Sequence, residues 1–242
     1  MSSHKRNIPY LCYAGFDSSQ VKLRPMPYSI INFSESPSLI NTYLAELRDI
    51  DIQKDPMRFR YNLRRIGTLI GYEISKELDY RETKTTTPLG VATSKVLNDK
   101  IVLCAVLRAG LSLHEGLLNS FDDAENSFFA IYRKSNGTGA FDVHLEYHTS
   151  PNIDGKVLVI ADPMIATGLT MEKVIRATLE YGRPKQIHIA SIIGSKVGVT
   201  HIKRLFKDIK IWIGAIDEEL TAKAYIVPGL GDAGDLSYGQ KT

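Results

Sequence analysis

The 242-residue sequence predicts an α/β domain with a mainly parallel sheet and helices on both faces. Three observations predict it. From about residue 100 onward, short aliphatic runs alternate with longer helical patterns. The runs are apolar throughout, as strands buried on both faces are. Several end in charged or glycine-bearing turns that open a helix, which is the arrangement of βαβ units.

The bulk numbers narrow the class. Hydrophobic content of 43% and charged content of 24% are ordinary for a globular chain. Net charge is +3, from 30 Lys+Arg and 27 Asp+Glu. That balance argues against nucleic acid as a partner and leaves room for a small anionic ligand. No run approaches the ~20 apolar residues needed to span a bilayer. The start, Met1-Ser-Ser-His-Lys-Arg6, lacks the apolar core of a secretory signal, so no membrane partner is expected. Cys12 and Cys104 are the only cysteines, too few for a disulfide framework or a zinc site. Cys104 lies in an aliphatic run and reads as a small buried hydrophobe. A reducing compartment, and hence cytoplasmic localisation, is the expectation.

The elements run in chain order. Residues 1–35 hold three prolines, Pro9, Pro25 and Pro27, and read as an arm packed on the body or on a second subunit. Residues 36–242 read as one domain. Ser36-Pro37 signals a helix start, with serine as N-cap and proline in the first turn, running to about Asp49. Asp55-Pro56 repeats the signal. Phe59, Leu63, Ile66, Ile70 and Ile74 then recur at helical spacing to about Leu78. The other face carries Arg58, Arg60, Arg64 and Arg65, either a solvated face or a subunit contact. Thr85–Gly90 reads as a turn or loop. Strands are expected over 100–107, 128–133, 143–149, 156–161, 186–193 and 209–215. Helices are expected over 111–119, 169–181 and 197–206, with Gly182-Arg-Pro184 closing the second of them.

Ligands of open α/β sheets sit beyond the carboxyl ends of the strands. Arg108-Ala-Gly110 follows the first strand. Arg133-Lys134 and a flexible Ser135-Asn-Gly-Thr-Gly139 follow the second. Asp162 and the small, hydroxyl-rich turn Pro163-Met-Ile-Ala-Thr-Gly-Leu-Thr170 follow the strand at 156–161. Asp217, Glu218 and Glu219 follow the last. A strand that delivers a carboxylate and a nest of N–H groups to a helix N-terminus suits a phosphorylated sugar. The N–H groups hold phosphate, and the carboxylate accepts from hydroxyls or holds a metal through water. Arginine forks suit a diphosphate. Singly, each arginine could be an ordinary ion-pair residue and Asp162 a helix cap. Their co-occurrence at strand ends carries the reading. The glycine-rich stretch Tyr225–Asp235 has neither the dinucleotide nor the P-loop frame. Its glycines can bring backbone groups close to a planar heterocycle. Ile226, Val227 and Leu230 argue against the alternative of a mobile tail.

Leu107-Arg-Ala-Gly-Leu111, Asp162-Pro-Met-Ile-Ala-Thr-Gly168 and Tyr225-Ile-Val-Pro-Gly-Leu-Gly-Asp-Ala-Gly-Asp235 resemble, in order and spacing, the signatures of uracil phosphoribosyltransferases. The resemblance covers roughly residues 30–239. It implies a type I phosphoribosyltransferase fold with a small C-terminal hood. It also implies transfer of phosphoribose from 5-phospho-α-D-ribose 1-diphosphate to uracil N1, giving UMP and diphosphate in pyrimidine salvage. By matching motif, Asp162 would hold the ribose hydroxyls. Pro163, Met164, Ile165, Ala166, Thr167, Gly168, Leu169 and Thr170 would form the phosphate loop. Arg108 and Arg133 would bind diphosphate. Tyr225, Ile226, Gly231 and Ala233 would meet uracil. Asp232 would sit by the donor and its Mg2+, and is the candidate base. The metal would be held mainly by diphosphate. A homodimer or homotetramer, GTP as a candidate activator, and closure of the Thr85–Leu89 loop over the diphosphate are further implications. A donor-binding regulator with weak or no transferase activity is the alternative.

Three departures from the family pattern stand out. Leu169 replaces a glycine of Thr-Gly-Gly-Ser, which raises the question of whether that position needs a positive φ. Asp235-Leu-Ser-Tyr-Gly239 lacks the basic residue expected after the acid. Ser112-Leu-His-Glu115 replaces a small, methionine-rich stretch.

Overall fold

A computed structural model describes residues 29–135 and 141–241, with side chains described for all of these except 132–135 and 141–144. The strands are β1 (Ile30–Asn32), β2 (Tyr80–Thr87), β3 (Gly90–Leu97), β4 (Ile101–Leu107), β5 (Glu125–Ser135), β6 (Phe141–Thr149), β7 (Val157–Ala161), β8 (Met164–Ile165), β9 (Gln186–Ser195), β10 (Lys210–Asp217), β11 (Glu219–Leu220) and β12 (Ile226–Val227). The helices are α1 (Leu39–Arg48), α2 (Pro56–Ser75), α3 (Gly110–Leu118), α4 (Leu169–Thr178), α5 (Lys196–Leu205) and α6 (Ala233–Tyr238). The main sheet runs β1-β10-β9-β7-β4-β5-β6, with β8 also on β9. Only the β5–β6 pair is antiparallel. The expected mainly parallel α/β architecture is therefore present.

Why the central strands lack alternation is plain from their two buried faces. On β4, Ile101 and Leu103 face one core with α1, α2 and α3. Val102, Cys104 and Val106 face the other with α4 and α5. On β7, Val157, Val159 and Ala161 divide from Leu158 and Ile160 in the same way. Cys104 is fully buried, and desolvation pushes its thiol up to about 12. It is an inert core residue.

Asp55 caps α2 as expected, accepting from the Met57 and Arg58 amides at 2.9 and 3.2 Å. Phe59, Leu63, Ile66, Ile70 and Ile74 form its buried stripe. The first helix starts later than expected. Ser38, not Ser36, is its N-cap, and the Ser38 hydroxyl donates to Asn41 Oδ1 instead of capping the backbone. Pro37 stays in the extended lead-in, which its fixed φ suits as well as it suits a helix. The Arg58–Arg65 face is not simply solvated. Arg58 pairs with Glu46 and Arg64 with Glu115, Arg60 donates to Ser237 O, and Arg65 lies over the Tyr61 and Tyr43 rings.

Two further expectations change. Of Thr85–Gly90, expected as a turn or loop, only Pro88-Leu89 is a turn, and the rest is strand. The segment is the tip of the β2–β3 hairpin, with Thr87 opposite Gly90. Both strands are exposed on both faces, so no apolar alternation marks them. Ile30–Asn32, within the stretch expected as an arm, is the edge strand of the main sheet, paired parallel to Ile211–Ile213. Residues 1–28 of that arm and most of the 135–139 turn lie outside the described residues.

His188 on β9 is wholly buried. Its Nδ1 accepts from Trp212 Nε1 at 3.0 Å, and its Nε2 meets Gln186 Oε1 at 3.0 Å. The pair fixes a neutral ring with the proton on Nε2. Burial accordingly holds its pKa down, to about 4. The unfolded chain therefore takes up a proton that the folded one refuses between pH 6.5 and about 4. Stability is fully present above that window and falls as pH falls through it, by on the order of 3 kcal/mol in total. Urea midpoints followed by Trp212 fluorescence should decline from pH 7 to pH 5. The His188→Gln variant should flatten that decline, and an unchanged slope would remove His188 as its source.

Candidate active site

Three chain segments meet at the carboxyl end of the sheet. The first is the turn after β4. Arg108 leaves the strand through a cis Leu107–Arg108 peptide. Its Nη2 donates to Asp235 Oδ1 at 2.9 Å and to Gly239 O at 3.2 Å. Its Nε is buried with no partner among the described residues. Gly110 then passes so close to β7 that a Cβ would lie 2.5 Å from Ala161 O.

The second segment comes after β7, the strand next to β4. The Asp162 amide donates to Ala190 O, and Asp162 Oδ1 accepts from Met164 N at 3.2 Å. That turn leads to β8, which adds to β9. Pro163, Ile165 and Ala166 are buried, and Thr167 is half-buried. Gly168 then takes φ +85° as the N-cap of α4. The first hydrogen bond of the helix runs from Glu172 N to Gly168 O, so the amides just before Glu172 have no intrahelical partner. With the dipole of α4 they form an anion-binding end. The loop is buttressed from below. Ser195 Oγ donates to Ala166 O and accepts from Gly198 N, and His201 Nε2 meets Glu172 Oε2 at 2.7 Å. That histidine bond, with Arg176, holds the Glu172 carboxyl below its usual range.

Leu169, the departure in this loop, is the first residue of α4 and is not among the residues of positive φ. Gly168 alone supplies the left-handed residue of the turn, which is why leucine fits beside it.

The third segment is the β11–β12 hairpin and the chain from there to α6. Ile226, Leu230 and Ala233 are buried, so the tail is anchored, while Tyr225 is half-exposed. A cis Val227–Pro228 peptide leads into Gly229 and Gly231, with φ of +62° and +91°. Asp232 caps α6, its Oδ1 accepting from Gly234 N at 2.8 Å and Asp235 N at 3.0 Å. Its Oδ2 makes only a 3.9 Å contact with Lys241 Nζ among the described residues. Tyr238, two residues after the Leu236-Ser237 departure begins, has its hydroxyl 2.8 Å from Ser112 Oγ on α3.

Arg108 thus ties the first segment to the third, and sheet order sets Asp162 beside it. Arg133 lies on β5, on the other side of β4, with its backbone opposite Val143 and its side chain outside the described residues. Sequence reasoning overlooked Arg48 and Gln53. Arg48 reads as an ordinary cation in the last turn of a helix, yet its guanidinium reaches Asp217 and Gly229. Gln53 Oε1 is buried without a partner and lies 3.9 Å from where a Cβ on Gly231 would be. Nothing in the local sequence marks either residue. Among the described residues no cluster of His, Cys, Asp and Glu is arranged to ligate a metal, and no helix is long and apolar enough to cross a membrane.

Comparison with known proteins agrees with this geometry. The family model described as uracil phosphoribosyltransferase matches residues 34–240. A uracil phosphoribosyltransferase of Porphyromonas gingivalis is 50% identical over 213 residues, covering 88% of this chain and 99% of the relative. One from Pyrococcus furiosus is 36% identical over 214 residues, covering 87% and 90%. A solved protein from Aquifex aeolicus superposes with a TM-score of 0.79 at 33% identity, covering 87% of this chain and 98% of its own. By its fold, the three segments at its strand ends and these relatives, the chain belongs to the uracil phosphoribosyltransferase family.

Proposed function

We propose that the protein transfers the phosphoribosyl group of 5-phospho-α-D-ribose 1-diphosphate to N1 of uracil, forming UMP and diphosphate. The observation that carries this is the Arg108 bridge. It joins the strand-end cation to the glycine-rich tail beside the Asp162 loop. A donor with a 5-phosphate and a 1-diphosphate, together with a planar acceptor, needs those three surfaces. The relatives' names do not favour the regulatory alternative.

The C1′–O bond to diphosphate breaks, and a bond from uracil N1 to C1′ forms. Asp162 accepts from the ribose 2′- and 3′-hydroxyls and faces the positive charge that develops on the ring. The loop from Pro163 through Met164, Ile165, Ala166, Thr167, Gly168 and Leu169 to Thr170 wraps the 5′-phosphate with backbone amides, ahead of the α4 N-terminus. Arg108 exchanges its contacts with Asp235 and Gly239 for the leaving diphosphate, and Arg133 joins it from β5. Ile226, Gly231 and Ala233 meet the base through backbone groups, with Tyr225 at the rim. Holding both substrates in register supplies much of the rate.

Mg2+, bound mainly by the diphosphate, would neutralise the leaving group. Asp232 fits a role beside it, because Oδ1 is committed to the α6 cap while Oδ2 is not. The same oxygen can take the proton lost by uracil N1. A homodimer or homotetramer is supported by the exposed Ile50, Met57, Tyr61 and Tyr72 around α1 and α2. An arm ahead of β1, a catalytic domain that takes in β1 and runs to the end of the chain, GTP activation and a cytoplasmic location complete the proposal.

The direct test is UMP formation from uracil, donor and Mg2+, with cytosine, orotate and hypoxanthine in parallel. Product with uracil alone is expected, and none with any base would refute the assignment. Arg133→Ala should raise the donor KM about 20-fold, the effect of losing a charged hydrogen bond, with the uracil KM within about threefold. Equal effects on both would take Arg133 out of the diphosphate site.

A further inference from the structure

Asp217, at the end of β10, and Arg48, in the last turn of α1, have no part in the roles above. Their side chains form a two-point ion pair. Arg48 Nη2 donates to Asp217 Oδ1 at 2.7 Å and Nη1 to Oδ2 at 2.9 Å. Both also grip Gly229. Nη1 donates to Gly229 O at 2.9 Å, and Asp217 Oδ2 accepts from Gly229 N at 3.0 Å. The pair is shielded, with side chains 22% and 8% exposed.

The grip falls on a particular peptide. The Gly229 amide belongs to the peptide plane before it and the carbonyl to the plane after it, so one ion pair fixes both. Glycine at φ +62° has no side chain to hold that turn, and a Cβ there would collide with the Ile226 carbonyl. Asp217 and Gly229 are also the two feet of the β11–β12 hairpin, and the second foot leads directly into Gly231 and Ala233. Arg48 fastens both feet to α1. An exposed pair contributes little, whereas a shielded one with charged hydrogen bonds to backbone sets geometry.

We propose that Arg48 and Asp217 are positioning residues for base recognition. They fix the peptide planes around Gly229 and so set the backbone edge at Ile226, Gly231 and Ala233 against which the pyrimidine is read. This deepens the proposed function and rests on it. The pair's backbone bonds go to Gly229, between Ile226 and Gly231, so its effect falls first on the base.

The test combines kinetics for both substrates, thermal midpoints and amide hydrogen exchange over residues 226–235. Arg48→Ala should raise the uracil KM about 30-fold, leave the donor KM within about threefold, and speed exchange in that segment at least about tenfold. Arg48→Lys, a point charge without the fork, should recover only part of the uracil KM. The double variant Arg48→Met/Asp217→Leu should regain thermal stability, as apolar replacement of a shielded pair often does, without regaining the uracil KM. The proposal is overturned by an unchanged uracil KM in a folded variant, by equal effects on both substrates, or by a double variant that restores KM along with stability. If the parent protein made no UMP, the functional reading would fail on its own. Faster exchange at 226–235 in the variants would then still uphold the clamp, and unchanged exchange would overturn it.

Discussion

Asp162→Asn is expected to lower kcat/KM for the donor by about 10²-fold or more while shifting the unfolding midpoint by no more than a few degrees. The asymmetry comes from what each oxygen does. Oδ1 accepts from the Met164 amide and shapes the turn into β8, and asparagine can keep that bond. The strand end is also held independently by the Asp162 amide on Ala190 O. The second oxygen becomes an NH2 group that cannot accept from a ribose hydroxyl. The negative charge facing the ring is lost as well. Loss of ground-state contacts raises the donor KM, and loss of charge opposite a developing cation lowers kcat, so both should move. Uracil affinity should be nearly unchanged. A variant with full activity would sink the ribose assignment. One with a raised KM and normal kcat would confine Asp162 to binding.

How much of this was legible in the sequence depends on what each element packs against. Residues 101–107 and 157–161 were readable because burial on both faces demands unbroken aliphatic runs. The second helix was readable because Asp55 and Pro56 announce its start and its apolar stripe recurs at helical spacing. The β2–β3 hairpin was not, since a hairpin solvated on both faces carries threonine-rich β-propensity without alternation. The same lack of local signal hid Arg48. Its partner lies 169 residues away, and only the folded sheet brings α1 to the end of β10. At the strand ends, the residue types suggested a ligand class because few side chains suit phosphate and ribose. The second duties of those residues were not. That Asp232 also caps α6, and that Arg108 rests on Asp235 and Gly239, are facts of geometry.

Gly168→Ala should be nearly as damaging as Asp162→Asn, through the backbone alone. At φ +85°, any Cβ carries a conformational cost of about 1–2 kcal/mol. It would also sit 2.8 Å from Gly198 O and 3.0 Å from His201 Cδ2. Neither neighbour yields easily, since Gly198 is bound to Ser195 and His201 to Glu172. The loop must therefore move away from α5, carrying the phosphate-facing amides with it. Misplacement approaching 1 Å costs about 10²-fold, and that loss is expected in kcat/KM for the donor, with about 2–3 kcal/mol of stability. Leu169→Gly is the control. It places a glycine at a helical position that needs no left-handed φ. Activity should stay within about threefold while helix stability falls by up to about 1 kcal/mol. If Leu169→Gly instead raised turnover tenfold or more, the leucine would be restraining the loop, and Gly168 could not be the sole source of its shape.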